Sequence, residues 1–556
     1  MKKTTFLSVF ILLLTITSCQ NQKQEKNLNE ISIREIQQSE KLLGLEFTSA
    51  ERDTMLDNIR ELKTDYDKIR KAELGNTVRP ALIFNPIPPG FKMPQQQKPI
   101  DWEIKRDVYL PEDKAELAFY PVYKLASLIR SGKISSVELT NIYLQRLRKY
   151  GDTLQAVVSL TEDIALEQAR RADSEIARGI YRGPLHGIPF GVKDLLSVKA
   201  HKTSWGAMPF KDQQLEETAT VVQKLEEAGA VLVAKLTLGA LAMGDVWYGG
   251  VTKNPWDLEQ GSSGSSAGSA ASVSAGLVAF AIGTETWGSI VSPSTRCGVT
   301  GLRPTFGRVS KHGAMALSWS MDKIGPICRN AYDCAMVFDA IYGTDPKDPS
   351  TIEAPFNFDL QKEVKKLRVA YIKSFFEADY RAAKNDSITL ARIRKLGFEP
   401  EAVEFPDELP VSSMAIILNA EAAAAFDELT RSNRDSLLVA QHKDAWPNIF
   451  RYSRFIPAVE YVNANRLRTK LIKQLHDFTK DYDVIITPSF GGDQLLATNL
   501  TGNPCVVIPN GFDEEDHPTS ISFIGNLFDE EKLLLFAKYI QENTEWEDKH
   551  PGYFME

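Results

Sequence analysis

Ten serines and no histidine lie in GSSGSSAGSAASVSAGLVAFAIGTETWGSIVSPS, residues 261–294. A serine hydroxyl is a weak nucleophile until a neighbouring base takes its proton. Three readings of the stretch follow. A glycine–serine linker is the first, but linkers are polar throughout, and this segment runs straight into the apolar SVSAGLVAFAIG. The second is a nucleophile elbow, since Gly264-Ser265-Ser266-Ala267-Gly268 matches G-x-S-x-G. That motif needs a buried strand before it and a histidine partner. The preceding NPWDLEQGSS is polar and turn-like, and none of the downstream histidines, His312, His442, His476, His517 and His550, stands in a recognisable context. The third uses a lysine. In GPLHGIPFGVKD, residues 183–194, Lys193 follows the apolar run Ile188–Val192. Burial would desolvate its amine, lower its pKa from about 10.4 and make it a usable base. The bland alternative is a surface lysine paired with Asp194, which is the ordinary fate of a lone lysine.

Six blocks in order decide between these. GPLHGIPFGVKD, SGSSAGSAASVSAG, GTETWGSI, GVTGLRPTFGRVS, MDKIGPICRNAYDCA and TGNPCVVIPNG resemble successive blocks of the amidase signature family, over roughly residues 118–545. The resemblance implies a Ser–cis-Ser–Lys triad without histidine, metal or cofactor. Carried over by motif, Lys193 is the base, Ser265 the bridging serine behind a cis peptide, and Ser289 the nucleophile. The backbone of Thr286, Trp287, Gly288 and Ser289 is implied as the oxyanion hole. Ser265 would then pass the proton of Ser289 to Lys193 and return it to the leaving amine, with an acyl-enzyme on Ser289 between. The chain departs from the family's usual Gly-Thr-Asp-x-Gly-Gly-Ser-Ile-Arg at Glu285, Trp287 and Val291, and reads Ser-Ala-Gly (Ser266 to Gly268) where Ser-Gly-Gly is usual. Trp287 is either a wall of the substrate pocket or packed behind the loop. Ser266 is expected to bond within the loop and to be able to reach Lys193 or Ser265.

The elements that must position these residues can be read from periodicity. Helices are predicted over 136–149, with Ser136 as the cap, and over 161–178. Short apolar runs at 230–236, 367–372 and 482–488 suit buried strands. The alternation argues an α/β fold with a large, mostly buried sheet flanked by helices; the resemblance implies the same core with a mixed sheet. Upstream, residues 28–75 are charged with helical periodicity, and 78–111 are proline-rich, so a helical N-terminal extension and an irregular arm are expected. The expected organisation is a leader over 1–18, a tether and extension over 19–115, and an amidase signature domain over 116–550.

The leader, MKKTTFLSVFILLLTITSC, has two lysines and an apolar run too short to span a bilayer, which takes about 20 residues. Ile16-Thr17-Ser18-Cys19 resembles a bacterial lipobox, which implies lipidation at Cys19, export, and attachment to a membrane. With 65 basic against 73 acidic residues the chain offers no strong cationic surface, so nucleic acid is not an expected partner. No CxxC occurs, so no structural zinc is expected, and the four remaining cysteines suit buried packing. The expected substrate is a small-molecule or peptide amide; esters stay open, and the oligomeric state is not legible. Two alternatives stand. One is the A subunit of the tRNA-dependent amidotransferase, which in that branch works on glutamine in a cytoplasmic complex. The other is a catalytically inactive, amide-binding lipoprotein.

Overall fold

The computed structural model describes residues 31–555 except Glu73 and Gln95. The leader and Cys19 lie outside the described residues. The chain divides into two units at Gly75. The described part of the first is a helix pair, α1 (Ile33–Leu43) and α2 (Ser49–Arg70). Both start in capping boxes, Ser32 with Glu35 and Thr48 with Glu51, which satisfy the orphan N–H groups of a first helical turn.

The second unit, residues 76–556, is built on one sheet. Its helices include α3 (Ser136–Leu154), α4 (Glu162–Ala177), α5 (Ala267–Ser274), α6 (Val291–Cys297) and α7 (Gln494–Thr501). Its strands are β1 (Val157–Leu160), β2 (Pro189–Lys193), β3 (Val231–Leu236), β4 (Phe280–Glu285), β5 (Thr300–Arg303) and β6 (Lys323–Cys328), then β7 (Val369–Ile372), β8 (Glu401–Val403), β9 (Val484–Pro488), β10 (Cys505–Phe512) and β11 (Pro518–Ile524). The 11 strands run in the order β1-β3-β2-β4-β6-β5-β10-β11-β9-β7-β8. The expected mixed α/β sheet is present. β2 is parallel to both its neighbours, β3 and β4, while the middle of the sheet from β6 to β9 is antiparallel. Every residue of β2, β3, β4 and β9 is buried, which is why these strands read as continuous apolar runs rather than as alternation.

The parallel β2–β4 pair places the site. Phe190 faces Phe280, Gly191 faces Ala281 and Val192 faces Ile282. The carboxyl ends of the two strands, Lys193 and Thr284-Glu285, therefore leave the sheet side by side, which is where open α/β sheets carry their ligand sites. The helices α5 and α6, which follow the two serine-bearing loops, pack against each other.

The helix over 136–149 is observed but capped one residue earlier than expected. Ser135 is extended (φ −84°, ψ 156°) and its hydroxyl accepts from Glu138 N. Ser136 is buried, and its hydroxyl donates instead to Gly187 O at 2.9 Å. It ties the helix to the segment that leads into Lys193. The proline-rich arm belongs to the second unit: Gln97 exchanges two hydrogen bonds of 2.8 Å with the backbone of Phe356, and Trp102 is part of the core. Replacing Ser135 by Ala removes the cap without touching the core. Denaturant unfolding should show a loss of about 1 kcal/mol; no loss would place the cap elsewhere.

Candidate active site

Lys193 ends β2 fully buried. Its amine nitrogen lies 2.8 Å from Ser265 Oγ, 2.9 Å from Thr284 Oγ1, 3.1 Å from Ser266 Oγ and, longest, 3.4 Å from Thr284 O. Asp194, the partner a surface lysine would have taken, is itself buried and pairs with Lys235 at 2.8 Å. Among the described residues no carboxylate pairs with Lys193. Burial holds its pKa well below the ordinary lysine value, and the more distant Asp322 and Glu285 oppose this only partly. A neutral amine has two N–H donors and one lone pair. Ser266 Oγ donates to Thr284 O (3.0 Å) and accepts from Thr284 N (3.1 Å), so towards Lys193 it can only accept. The lone pair is thereby free to point at Ser265.

The peptide bond between Gly264 and Ser265 is cis. Glycine is required before it by close approach. A Cβ at position 264 would stand 1.8 Å from the backbone oxygen of Gly244. Gly283 in β4 serves similarly, because a Cβ there would meet Ser266 Oγ at 2.8 Å. The loop is held on its other side by Ser263, whose N–H donates to Asp245 Oδ2 at 2.9 Å and whose hydroxyl lies 2.8 Å from Ser292 Oγ on α6. The G-x-S-x-G match thus follows only a short strand outside the main sheet, Asp257–Gly261, and its central serine, Ser266, meets a lysine.

Ser289 lies between β4 and α6, 8% exposed. Its carbonyl accepts from Ser266 N at 3.2 Å, which joins the two serine loops directly. Among the described residues, no acceptor takes the N–H groups of Trp287, Gly288 and Ser289. Gly288 has φ +84°, a turn that directs this short run of amides. Trp287 is 46% exposed. It is therefore not packed behind the loop.

What fixes the loop from beneath was not evident in sequence. Glu285 is fully buried and accepts from Ile290 N (2.8 Å) and Val291 N (3.0 Å), the two residues after Ser289. Its other oxygen accepts from Arg303 on β5 (2.8 Å) and Asn499 on α7 (2.8 Å). Burial alone would raise this carboxyl. Arg303 and the hydrogen bonds outweigh it and hold the pKa at about 2. The second missed residue is Thr284, whose hydroxyl is one of the shortest contacts of Lys193; a threonine inside a strand carries no signal that separates it from packing. The Thr286 hydroxyl turns away from the loop and donates to partly buried Asp322 at 2.5 Å.

Two cavities flank these loops. One, of about 410 Å³, is bordered by Thr284, Thr286, Asp322 and Lys311. The other, of about 380 Å³, is bordered by Ser292 on α6 and by Phe375, Pro488 and Phe490. The four cysteines among the described residues are buried and unpaired. Burial raises the Cys297 thiol, so it is a packing residue.

The Amidase family profile matches residues 138–497. The chain is 32% identical over 477 residues to the A subunit of the glutamyl-tRNA(Gln) amidotransferase of Coxiella burnetii (strain Dugway 5J108-111), covering 77% of this chain and 98% of that protein. Its counterpart in Moorella thermoacetica is also 32% identical, over 483 residues, covering 78% and 99%. Among solved structures, the peptide amidase of Stenotrophomonas maltophilia superposes with a TM-score of 0.69 at 27% identity, covering 77% of this chain and 98% of that one. The A subunit of the glutamyl-tRNA(Gln) amidotransferase of Thermotoga maritima does so with 0.64 at 26% identity, covering 77% and 95%.

A folded pKa near 2 for Glu285 stabilises the protein above the unfolded carboxylate value of about 4.3, and that stability is lost as pH falls towards 2. Glu285→Gln leaves Arg303 buried without its counter-charge. It should lower stability at neutral pH by about 3–5 kcal/mol and flatten the acid limb of a stability-against-pH curve. An acid limb unchanged from wild type would show that the carboxylate is not held as described.

Proposed function

The chain belongs to the amidase family and is an enzyme that hydrolyses amide C–N bonds, and from that premise we propose that Ser289 attacks the amide carbonyl, with Ser265 and Lys193 as its proton relay. One observation carries this reading: a fully buried lysine amine, without a carboxylate partner among the described residues, 2.8 Å from the Ser265 hydroxyl. Attack forms a C–O bond from Ser289 Oγ to the carbonyl carbon. The Ser289 proton passes to Ser265 Oγ as the Ser265 proton passes to Lys193 Nζ. The N–H groups of Trp287, Gly288 and Ser289 face the oxyanion, each such donor being worth about 100- to 1,000-fold in rate. Collapse breaks the C–N bond, and the relay returns a proton to the departing nitrogen. Water then attacks the acyl-enzyme along the same route in reverse.

Two substrate readings share this chemistry. The first is a free-standing amidase acting on small carboxamides or peptide amides, and the likeness to a peptide amidase supports it. The second is a chain that works like the A subunit of a glutamyl-tRNA(Gln) amidotransferase. The curated relatives, matched over nearly their whole length, favour the second. Purified chain alone, offered amides, peptide amides and esters, separates them: turnover by the chain on its own supports the first, and dependence on partner proteins and glutamyl-tRNA(Gln) supports the second. The inactive amide-binding reading leaves the buried Lys193–Ser265 pair without a purpose.

Lys193→Ala should lower kcat/KM by at least about 100- to 10,000-fold. Because the base works uncharged, the wild-type rate should be present above the lowered Lys193 pKa and lost as pH falls through it. A near-normal rate in Lys193→Ala would remove the lysine from the mechanism. Ser289→Ala should abolish both turnover and covalent labelling by an activated phosphonate, and retained labelling would place the nucleophile elsewhere.

Attachment through a lipid on Cys19 rests on the leader alone. No helix of the described residues is long and apolar enough to cross a membrane. Cys19→Ala should move the protein from the membrane fraction to the soluble one; a wild-type protein already soluble, or a variant still attached, would contradict lipidation there. An exported chain and a partner of cytoplasmic tRNA occupy different compartments, so the same fractionation bears on the choice of substrate.

A further inference from the structure

The cavity of about 380 Å³ beside Ser292 carries one feature that the proposed chemistry does not use. Arg296 borders it from α6, the helix that begins two residues after Ser289. Ser292 and Arg296 are four residues apart on that helix, so they share a face and stand about 6 Å apart along its axis. Among the described residues, the Arg296 guanidinium has neither an ion pair nor a hydrogen bond. The other charged groups of the cavity are committed. Arg381 pairs with Asp513 and lies 2.9 Å from His517 Nδ1. Asp386 accepts from Asn510 at 2.7 Å and Tyr380 at 2.9 Å, and burial pushes its carboxyl up to about 7. The hydroxyls beside Arg296 are satisfied among themselves, Thr295 with Ser520 at 2.6 Å and Ser520 with Ser489 at 2.8 Å. The opposite wall is apolar, formed by Phe375, Pro488 and Phe490.

An unpaired guanidinium at the edge of an otherwise satisfied pocket is a site for a planar anion, which it binds through two parallel N–H donors. We propose that Arg296 reads a carboxylate on the substrate, so that the preferred amides are acid–amides: a carboxamide at Ser289 joined by a short apolar chain to a carboxylate at Arg296. This rests on the reading of Ser289 as nucleophile and adds the substrate class to it. Ser289 does not itself border this cavity; Ser292, three residues further on, does. A substrate held at Ser289 therefore reaches Arg296 past Ser292, which puts its carboxylate several bonds from the carbonyl. Arg296 is the only charged residue of the helix Val291–Cys297.

The test compares matched pairs on the full chain: succinamate, glutaramate and adipamate against the corresponding neutral diamides. The wild type should prefer an acid–amide through KM. In Arg296→Gln the ratio of kcat/KM for that acid–amide over its diamide should fall by about 10- to 100-fold. Arg296→Lys keeps the charge but loses the fork, and should fall between. An unchanged ratio in both variants overturns the proposal. Glutarate binding to Ser289→Ala by calorimetry separates this failure from failure of the nucleophile reading. Binding weakened at least 10-fold by adding Arg296→Gln supports the anion site even where no amide turns over, and absent or unaltered binding overturns it.

Discussion

An amine without a counter-charge, sealed in the carboxyl edge of a buried parallel strand pair, is the constraint from which the rest of the second unit's architecture around the site can be understood. Desolvation penalises the ammonium form of Lys193. The surroundings then give its nitrogen hydroxyl and carbonyl partners and no carboxylate. The one carboxylate next to it in sequence is taken by Lys235. A carboxylate in contact with Lys193 would favour the ammonium and with it remove the proposed base. The charge pairing at Asp194–Lys235 is therefore as much a condition of the proposed chemistry as the Lys193–Ser265 contact.

A second, charged layer lies beneath the neutral one. Glu285 connects the end of β4 to β5 and α7 through Arg303 and Asn499, and its remaining oxygen holds the backbone just after Ser289. Buried ion pairs are weak evidence for stability, because desolvation offsets their attraction. Here the pair acts on position: it fixes the first turn of α6 and, with it, the run of amides proposed as the oxyanion hole. The family's departures then read as one arrangement. Glu285 supplies the anchor, Val291 joins an apolar cluster with Ile485, Cys505 and Val507, Trp287 faces outward, and the helix's cation stands further along at Arg296.

Local patterns were legible and long-range ones were not. The apolar run Ile188–Val192 made a buried lysine possible, but on its own it left a surface lysine paired with Asp194 as the ordinary reading; the ordered motifs decided for burial and put Ser265 beside it. The helices over Ser136–Leu154 and Glu162–Ala177 and strands β3, β7 and β9 appear close to where periodicity put them. Ser136 was misplaced as a cap because two serines stand together, and only backbone conformation tells which one turns outward. Thr284 was missed because a strand residue's hydroxyl looks like any β-branched packing residue. The partners of Glu285 lie far along the chain on β5 and α7, and only the order of strands in the sheet brings them together. Arg296 was equally invisible, since its freedom from partners is a property of the folded cavity.

Titration of the lysine side chains by NMR, with ¹³C at the ε position, tests the central claim most directly. One resonance, absent from Lys193→Met, should titrate well below the ordinary lysine range around 10.4 or stay in the neutral form across the accessible pH range. A Lys193 resonance that titrates at the ordinary value would mean a charged amine at neutral pH, and the serine relay would have no base.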